Sequence, residues 1–394
     1  MQELADSWLH GGILTGMPTE VGYAIVIGLF AFLVLNFIML NAGIFSWAER
    51  RVWARIQSRV GPNRVGPQGI VQWLADGIKN IMKEDLVPLE ADAPLFKAAP
   101  YLAMMGFFAA FAALPFAQGV IVADLNVGIL YITAVTALVV VGILMAGWSS
   151  NNKWSMLGGI RSAAQIISYE IPAGISVIAV VLFTGTLSMQ GIIEQQGWAP
   201  WNWFLFNNPF LFVGFFVFYV SLLAEGNRTP FDLPEAESEL VAGAFTEYSG
   251  LRNLLFFLVE WGNLYVIGAV CTTLFLGGWQ VPAFTENGFL LGAAQVLSFF
   301  LKTYFLVFLS MWIRGTLPRV RVDQLMTLCW KYLVPISFIN LIGAMIWFVL
   351  FPEGLAIMRF GLFGLGVAIV GYFISRVVYH LRRARPEFHI SPIV

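Results

Sequence analysis

Apolar runs of close to 20 residues recur along the whole chain, at about 21–47, 95–117, 127–148, 163–186, 209–225, 252–277, 288–313, 332–351 and 359–380. Each is about the length of helix that crosses the hydrocarbon core of a bilayer. The pattern therefore predicts an all-α, polytopic membrane protein of about nine transmembrane helices. The fifth run is short, but Trp198, Trp201 and Trp203 just before it suit an aromatic belt at the membrane interface. One polar stretch has a period of its own. In IVQWLADGIKNIMKED, Ile70, Leu74, Ile78, Ile81 and Met82 recur at helical spacing, while Asp76, Lys79 and Lys83 point elsewhere. This is an amphipathic helix that lies on a membrane surface or packs beneath the bundle, or else forms part of the wall of a site opening there.

Composition narrows the chemistry. With 59% hydrophobic and 11% charged residues, and a mean hydropathy of +0.78, the chain is no soluble globular domain. Cys271 and Cys329 are its two cysteines, and His10, His380 and His389 sit near its ends. No set of residues is expected to hold zinc, an iron–sulfur cluster or haem from this chain alone. Any electrons would come from a partner. No Lys or Arg precedes Arg50, so a basic signal-peptide n-region is missing and the first span is expected to stay in the mature protein. Placing the amino terminus outside puts all but two of the 22 Lys and Arg residues on the cytoplasmic side or at helix ends there. The exceptions are Arg359, outside, and Lys302, within the seventh run. Residues 149–161 (SSNNKWSMLGGIR) then read as a packed cytoplasmic turn. Residues 314–331 read as a basic cytoplasmic loop with Arg314, Arg319, Arg321 and Lys331 around Asp323.

The densest polar feature lies between the fifth and sixth runs. Ala224 to Leu251 sets Glu225, Asp232, Glu235, Glu237, Glu239 and Glu247 against one cation, Arg228. Within it FDLPEAESEL reads as a helix start, with Asp232 as cap, Pro234 in the first turn and Glu235 at the third position. Glu235 and Glu239 would share a face, where like charges repel. Such a cluster meets cations, shares protons, or is simply a solvated acidic surface. Three ionisable residues lie within apolar runs: Glu170, Glu260 and Lys302. Charges there usually pair, face a polar interior or relay protons. Pro172, two residues past Glu170, is expected to kink its helix and free a carbonyl for water.

Five motifs also carry a family resemblance: ERRVWARIQSRVGPNRVGPQG, SNNKWSMLGGIRSAAQIISYEIP, AEGNRTPFDLPEAESELVAGAFTEYSG, FLGGW and IRGTLPRVRVDQLMTLCWK. In this order they closely resemble the H-type membrane subunits of respiratory complex I (mitochondrial subunit 1), the proton-translocating NADH:quinone oxidoreductase. The resemblance spans roughly residues 20–350 of a single polytopic domain and leaves 351–394 as an extra helix and tail. It implies a quinone chamber at the junction with the peripheral arm, with Glu49, Arg50, Arg59, Asp76, Phe257, Arg228 and Arg314 around it. It also implies an acidic proton path through Glu170, Glu225, Glu235, Glu237, Glu239, Glu247 and Glu260, to which the position of Lys302 adds that residue. Quinone is the implied bound substrate; iron–sulfur clusters, FMN and NADH belong to partner subunits. Partners would be peripheral-arm and antiporter-like subunits, membrane quinone and lipid, and no nucleic acid, in a bacterial inner membrane. Two other readings stay open: a related subunit of a ferredoxin-linked quinone reductase or membrane-bound hydrogenase, and a self-sufficient ion transporter.

Overall fold

Helices form where the apolar runs fall, and several of them outlast the runs. The computed structural model describes residues 19–232, 237–282, 287–351 and 354–383. The main helices are α1 (Thr19–Ile56), α2 (Gln72–Met82), α3 (Ala93–Ala110), α4 (Gly128–Ser149), α5 (Lys153–Thr184), α6 (Pro209–Glu225), α7 (Gly250–Phe275) and α8 (Gly288–Thr316). They are followed by α9 (Val322–Thr327), which passes through a π-helical turn, Leu328–Leu333, into α10 (Val334–Leu350), and by α11 (Ala356–Arg383). Among the described residues eight helices, counting α9 to α10 as one, are long and apolar enough to cross a membrane. The 17-residue α6 is the short fifth span. The amphipathic stretch is the separate helix α2.

The helices outlast the runs because polar residues at their ends cap or extend them. Most of 149–161, expected as a turn, is the first two turns of α5. Asn152 caps that helix by accepting a hydrogen bond from the Trp154 amide at 2.9 Å. The basic stretch 314–331 is likewise mostly helical: α8 runs on to Thr316, and the Gln324 side chain accepts from the Arg321 amide at 3.2 Å to start α9. Similarly α1 continues through ERRVWARI, which carries its arginines beyond the apolar run.

Small residues set the spacing between helices. Lipid is as apolar as leucine, so close backbone approach and van der Waals contact bring spans together rather than escape from water. A Cβ on Gly142 of α4 would lie 2.8 Å from the Ala103 amide nitrogen of α3, and one on Gly147 would lie 2.6 Å from the Ser155 carbonyl of α5. These glycines hold α3, α4 and α5 at contact distance.

Pro172 lies inside α5, which is continuous across it. Its missing N–H leaves the Ser168 carbonyl without an intrahelical donor. That carbonyl does not stand free for water, as expected from sequence: the Cys329 thiol of the π-turn donates to it at 3.0 Å. One residue on, Tyr169 donates its hydroxyl to the Leu325 carbonyl at 3.0 Å. These two bonds tie the middle of α5 to the α9–π segment. At the far end, α11 lies on the Trp201–Phe206 region through Phe363, and Arg359 donates to Asn202 and Asn207 at 3.1 and 3.3 Å.

Candidate functional site

A cavity of about 520 Å³ opens between α1, α2 and α7. The helical period of α2 explains one wall: Leu74, Ile78 and Ile81 turn towards it and stay roughly half exposed. Phe257 and Trp261 of α7 form another. Gly43 makes room for Trp73, since a Cβ there would sit 2.5 Å from the indole ring. The polar part is small, but it includes Asp76, Lys79 and Lys83, which the helical spacing was expected to point elsewhere. Arg50 donates to Asp76 at 2.7 Å, and Gln72 donates to the other Asp76 oxygen at 3.1 Å. An apolar space with one oriented charged pair suits a flat, weakly polar headgroup carrying an apolar tail.

Arg50 faces this cavity while Glu49, its neighbour on α1, turns into the bundle. There Glu49 receives Arg314 at 2.5 Å and Arg228 at 3.4 Å, and Arg228 also reaches Glu260 at 3.3 Å. Two cations balance two carboxylates, and Arg228 and Glu49 are nearly excluded from solvent at 2% and 4% side-chain exposure. Each arginine is further laid over an indole: Arg228 over Trp261 at 4.4 Å, and Arg314 over Trp53 at 4.6 Å. Trp261 thus presents the cavity with one part of its surface and Arg228 with another. Among the seven residues named from the resemblance for quinone binding, Arg50, Asp76 and Phe257 line the cavity. Glu49, Arg228 and Arg314 form the ionic cluster behind it. Arg59 lies past the end of α1, exposed, with its amide on the Ala54 carbonyl, and belongs to neither group.

A second cavity, of about 440 Å³, lies between α4, α5, α6 and α7. Glu170 and Glu225 both line it, with Thr133, Thr136 and Asn263. Asn263 stands three residues after Glu260 on α7, so the same helical face carries one residue of the ionic cluster and one of the second cavity. Gln165 secures the turn after Glu225 by donating to the Ala224 and Phe231 carbonyls, both at 2.7 Å.

The acidic stretch meets cations brought by other elements. Asp232, buried, accepts from Arg319 at 3.2 Å. Glu239 pairs with Arg161 at 2.7 Å, and Glu247 accepts from Asn152 at 2.6 Å. The described helical turn here is Glu237–Leu240. Glu235, with the predicted helix start around it, lies outside the described residues, as does the Glu237 side chain. Beyond the stretch, Tyr248 stacks on Phe96 with ring centroids 4.1 Å apart and donates its hydroxyl to the Phe96 carbonyl at 3.0 Å. Burial pushes this phenol up to about 12, so it remains a donor throughout the physiological range.

Lys302 is held elsewhere. Its ammonium donates to the Gly278 carbonyl at 2.9 Å and lies 4.6 Å from the Trp203 ring centroid. Among the described residues none of the carboxylates is its partner. Sequence reading passed over Trp261 and Asn263. A tryptophan beside a mid-span glutamate, away from any interface belt, was the available signal for the first; nothing marked the second.

The family described as NADH dehydrogenase matches residues 29–345. The chain is 54% identical over 343 residues to the H-type subunit of NADH-quinone oxidoreductase from Anaeromyxobacter dehalogenans, covering 83% of each chain. It is 48% identical to NADH-quinone oxidoreductase subunit 8 of Rhodothermus marinus, over 80% of this chain and 94% of that one. It is 47% identical to the H-type subunit of the same oxidoreductase from Chlorobaculum tepidum, over 79% and 90%. With a family match across most of its length and relatives near half identity, the chain belongs to the NADH dehydrogenase family, among the H-type membrane subunits of NADH-quinone oxidoreductase.

Proposed function

We propose that this chain, as a membrane subunit of a proton-translocating NADH-quinone oxidoreductase, binds quinone in the cavity between α1, α2 and α7 and passes the consequence of its reduction to a line of carboxylates. The observation that carries the reading is the position of Trp261. It forms a wall of the first cavity and at the same time supports Arg228, which holds Glu49 and Glu260. A change of charge or shape at the headgroup alters the surroundings of that indole and hence the balance of a buried four-charge cluster. Such clusters respond strongly because their members are desolvated and mutually dependent.

From Glu260 the face of α7 leads to Asn263 and the second cavity, where Glu225 and Glu170 stand ready to exchange protons with it. Asp76, oriented by Arg50, suits a role in placing the headgroup or in supplying a proton through solvent. Iron–sulfur clusters, FMN and the NADH site lie on partner subunits, and the antiporter-like subunits receive the proton-coupled change. In this reading the amino terminus faces outward from a bacterial inner membrane and the acidic stretch meets the peripheral arm.

Glu225→Gln tests the coupling step, because it removes a protonatable group while keeping its shape. The expected result is a complex that assembles, keeps its subunits and loses most proton translocation in proteoliposomes. Normal pumping by an assembled Glu225→Gln complex would remove Glu225 from the path.

A further inference from the structure

Six arginines pair with carboxylates among the described residues: Arg50, Arg161, Arg228, Arg252, Arg314 and Arg319. Arg51 and Arg55, in the last two turns of α1, do not, and neither do Arg376 and Arg382 in the last two turns of α11. Arg51 lies 5.4 Å from the Trp47 ring centroid and Arg376 lies 5.6 Å from that of Tyr379, but these ring contacts bring no opposite charge. Residues 356–383 and 288–316, which form α11 and α8, contain no Asp or Glu at all. The carboxylate of α1 nearest this end, Glu49, is turned towards Arg228 and Arg314.

Between these three helices lies a narrow cavity of about 180 Å³. Its wall is almost wholly apolar, built from Val52 and Ile56 of α1, Phe308 and Trp312 of α8, and Val377 of α11; Arg51, Arg55 and His380 complete the lining. Trp312 meets Phe373 edge-on at 5.5 Å and so joins α8 to α11 beside it. The Arg51 fork is held by Gln68, through its carbonyl at 2.8 Å and its side-chain oxygen at 3.3 Å, while the Arg51 Nε is enclosed and meets no acceptor. Arg55 is exposed, and its side chain makes no described polar contact. One wall, α11, lies beyond the residues that the family match covers.

An apolar slot between membrane helices, with cations at its polar end, is complementary to an acyl chain joined to an anionic headgroup. We propose that α11 builds, with α1 and α8, a binding site for an anionic phospholipid. Arg55 holds the phosphate, with the Arg51 charge one turn away adding to the attraction, and an acyl chain lies against Trp312 and Val377. A zwitterionic headgroup would bring its own cation into the same cluster and bind less well.

The test uses the intact complex in mild detergent and two phospholipids with a photoreactive diazirine in the acyl chain, one phosphatidylglycerol and one phosphatidylcholine. Labelled peptides are mapped by mass spectrometry. The proposal expects the phosphatidylglycerol probe to label the peptides containing Phe308–Trp312 and Val377–His380 about fivefold more than the phosphatidylcholine probe. Arg55→Gln removes an exposed side chain with no described bond, so the fold stands without it. It should lower that labelling several-fold and leave the phosphatidylcholine signal alone. Unlabelled phosphatidylglycerol should compete, and inorganic phosphate at equal concentration should not.

Equal labelling by both headgroups, or indifference to Arg55→Gln, would overturn the site. Competition by phosphate alone would make it a free-anion site and equally overturn the lipid assignment. Absence of label from these peptides would give the slot to a partner helix. A rise in labelling on deletion of residues 384–394 would give it to the chain's own tail. None of these outcomes touches the quinone reading, which rests on other residues.

Discussion

Arg228 spans two carboxylates from different helices, rests on an indole, and is 2% exposed. Removing its charge leaves Glu49 sharing Arg314 alone and takes from Glu260 its described cation. Breaking one partner out of a buried ionic group costs about 3–5 kcal/mol. Arg228→Gln is therefore expected to lower the yield of assembled complex and its thermal midpoint together, as read by calorimetry of the purified complex. Trp261→Leu acts differently. It keeps an apolar cavity wall and removes the cation–π support of Arg228, a change of about 1–2 kcal/mol. Assembly should survive, the apparent KM for quinone should rise by about threefold to tenfold, and fewer protons should move per NADH oxidised. A variant with raised KM and an unchanged proton ratio would show that Trp261 shapes the cavity without reporting on it. Sequence picked out Glu49, Arg228, Arg314 and Glu260 individually. Their mutual balance was not legible, because the four stand on segments far apart in the chain and only the packing of α1, α7 and α8 brings them together. Lys302 shows the same limit in the other direction. Its mid-run position marked it as unusual, yet its partners are a carbonyl and an indole near the Gly277–Gly278 turn.

Helix positions were the most readable level, since hydrophobic length reports them directly. The ends were misjudged wherever a polar residue caps or prolongs a helix outside the apolar run, as Asn152 does for α5 and Gln324 does for α9. Helix spacing has a separate cause. Gly142→Val would drive side-chain atoms into the Ala103 backbone, and overpacking of this kind costs about 1–3 kcal/mol. The expected result is a lower melting temperature and easier loss of neighbouring subunits in detergent, while quinone affinity in the surviving complex stays near its original value. Tyr248→Phe is milder. It keeps the stack on Phe96 and deletes one hydrogen bond, worth about 1 kcal/mol. Because the native phenol stays protonated until about pH 12, the difference between the two proteins should be constant from about pH 6 to 9. A difference that grows across that range, measured as thermal midpoints, would show that another group titrates there. The link between Pro172, Ser168 and Cys329 belongs to this scale too. The proline announced a freed carbonyl, but only the fold reveals the thiol that fills it.

Across the whole molecule two cavities are joined to the ionic cluster through α7. The first is mostly apolar and contains an oriented Arg50–Asp76 pair; the second contains Glu170 and Glu225. Both draw on α7, which contributes Phe257 and Trp261 to the first cavity, Glu260 to the cluster and Asn263 to the second. The acidic stretch before α7 is tied down by Arg161, Arg319 and Asn152 from other elements. It is thus an anchored part of the bundle's polar end, one of the outcomes its composition left open, with the cations supplied by other parts of the chain. The central claim is that quinone occupies the first cavity. A photoreactive quinone analogue applied to the NADH-oxidising complex tests it most directly, with labelled peptides of this chain mapped by mass spectrometry and excess quinone as competitor. Label on 72–82 and 253–261, suppressed by the competitor and weakened by Trp261→Leu, is the predicted result. Competed label confined to other segments, with these two peptides clean, would contradict it.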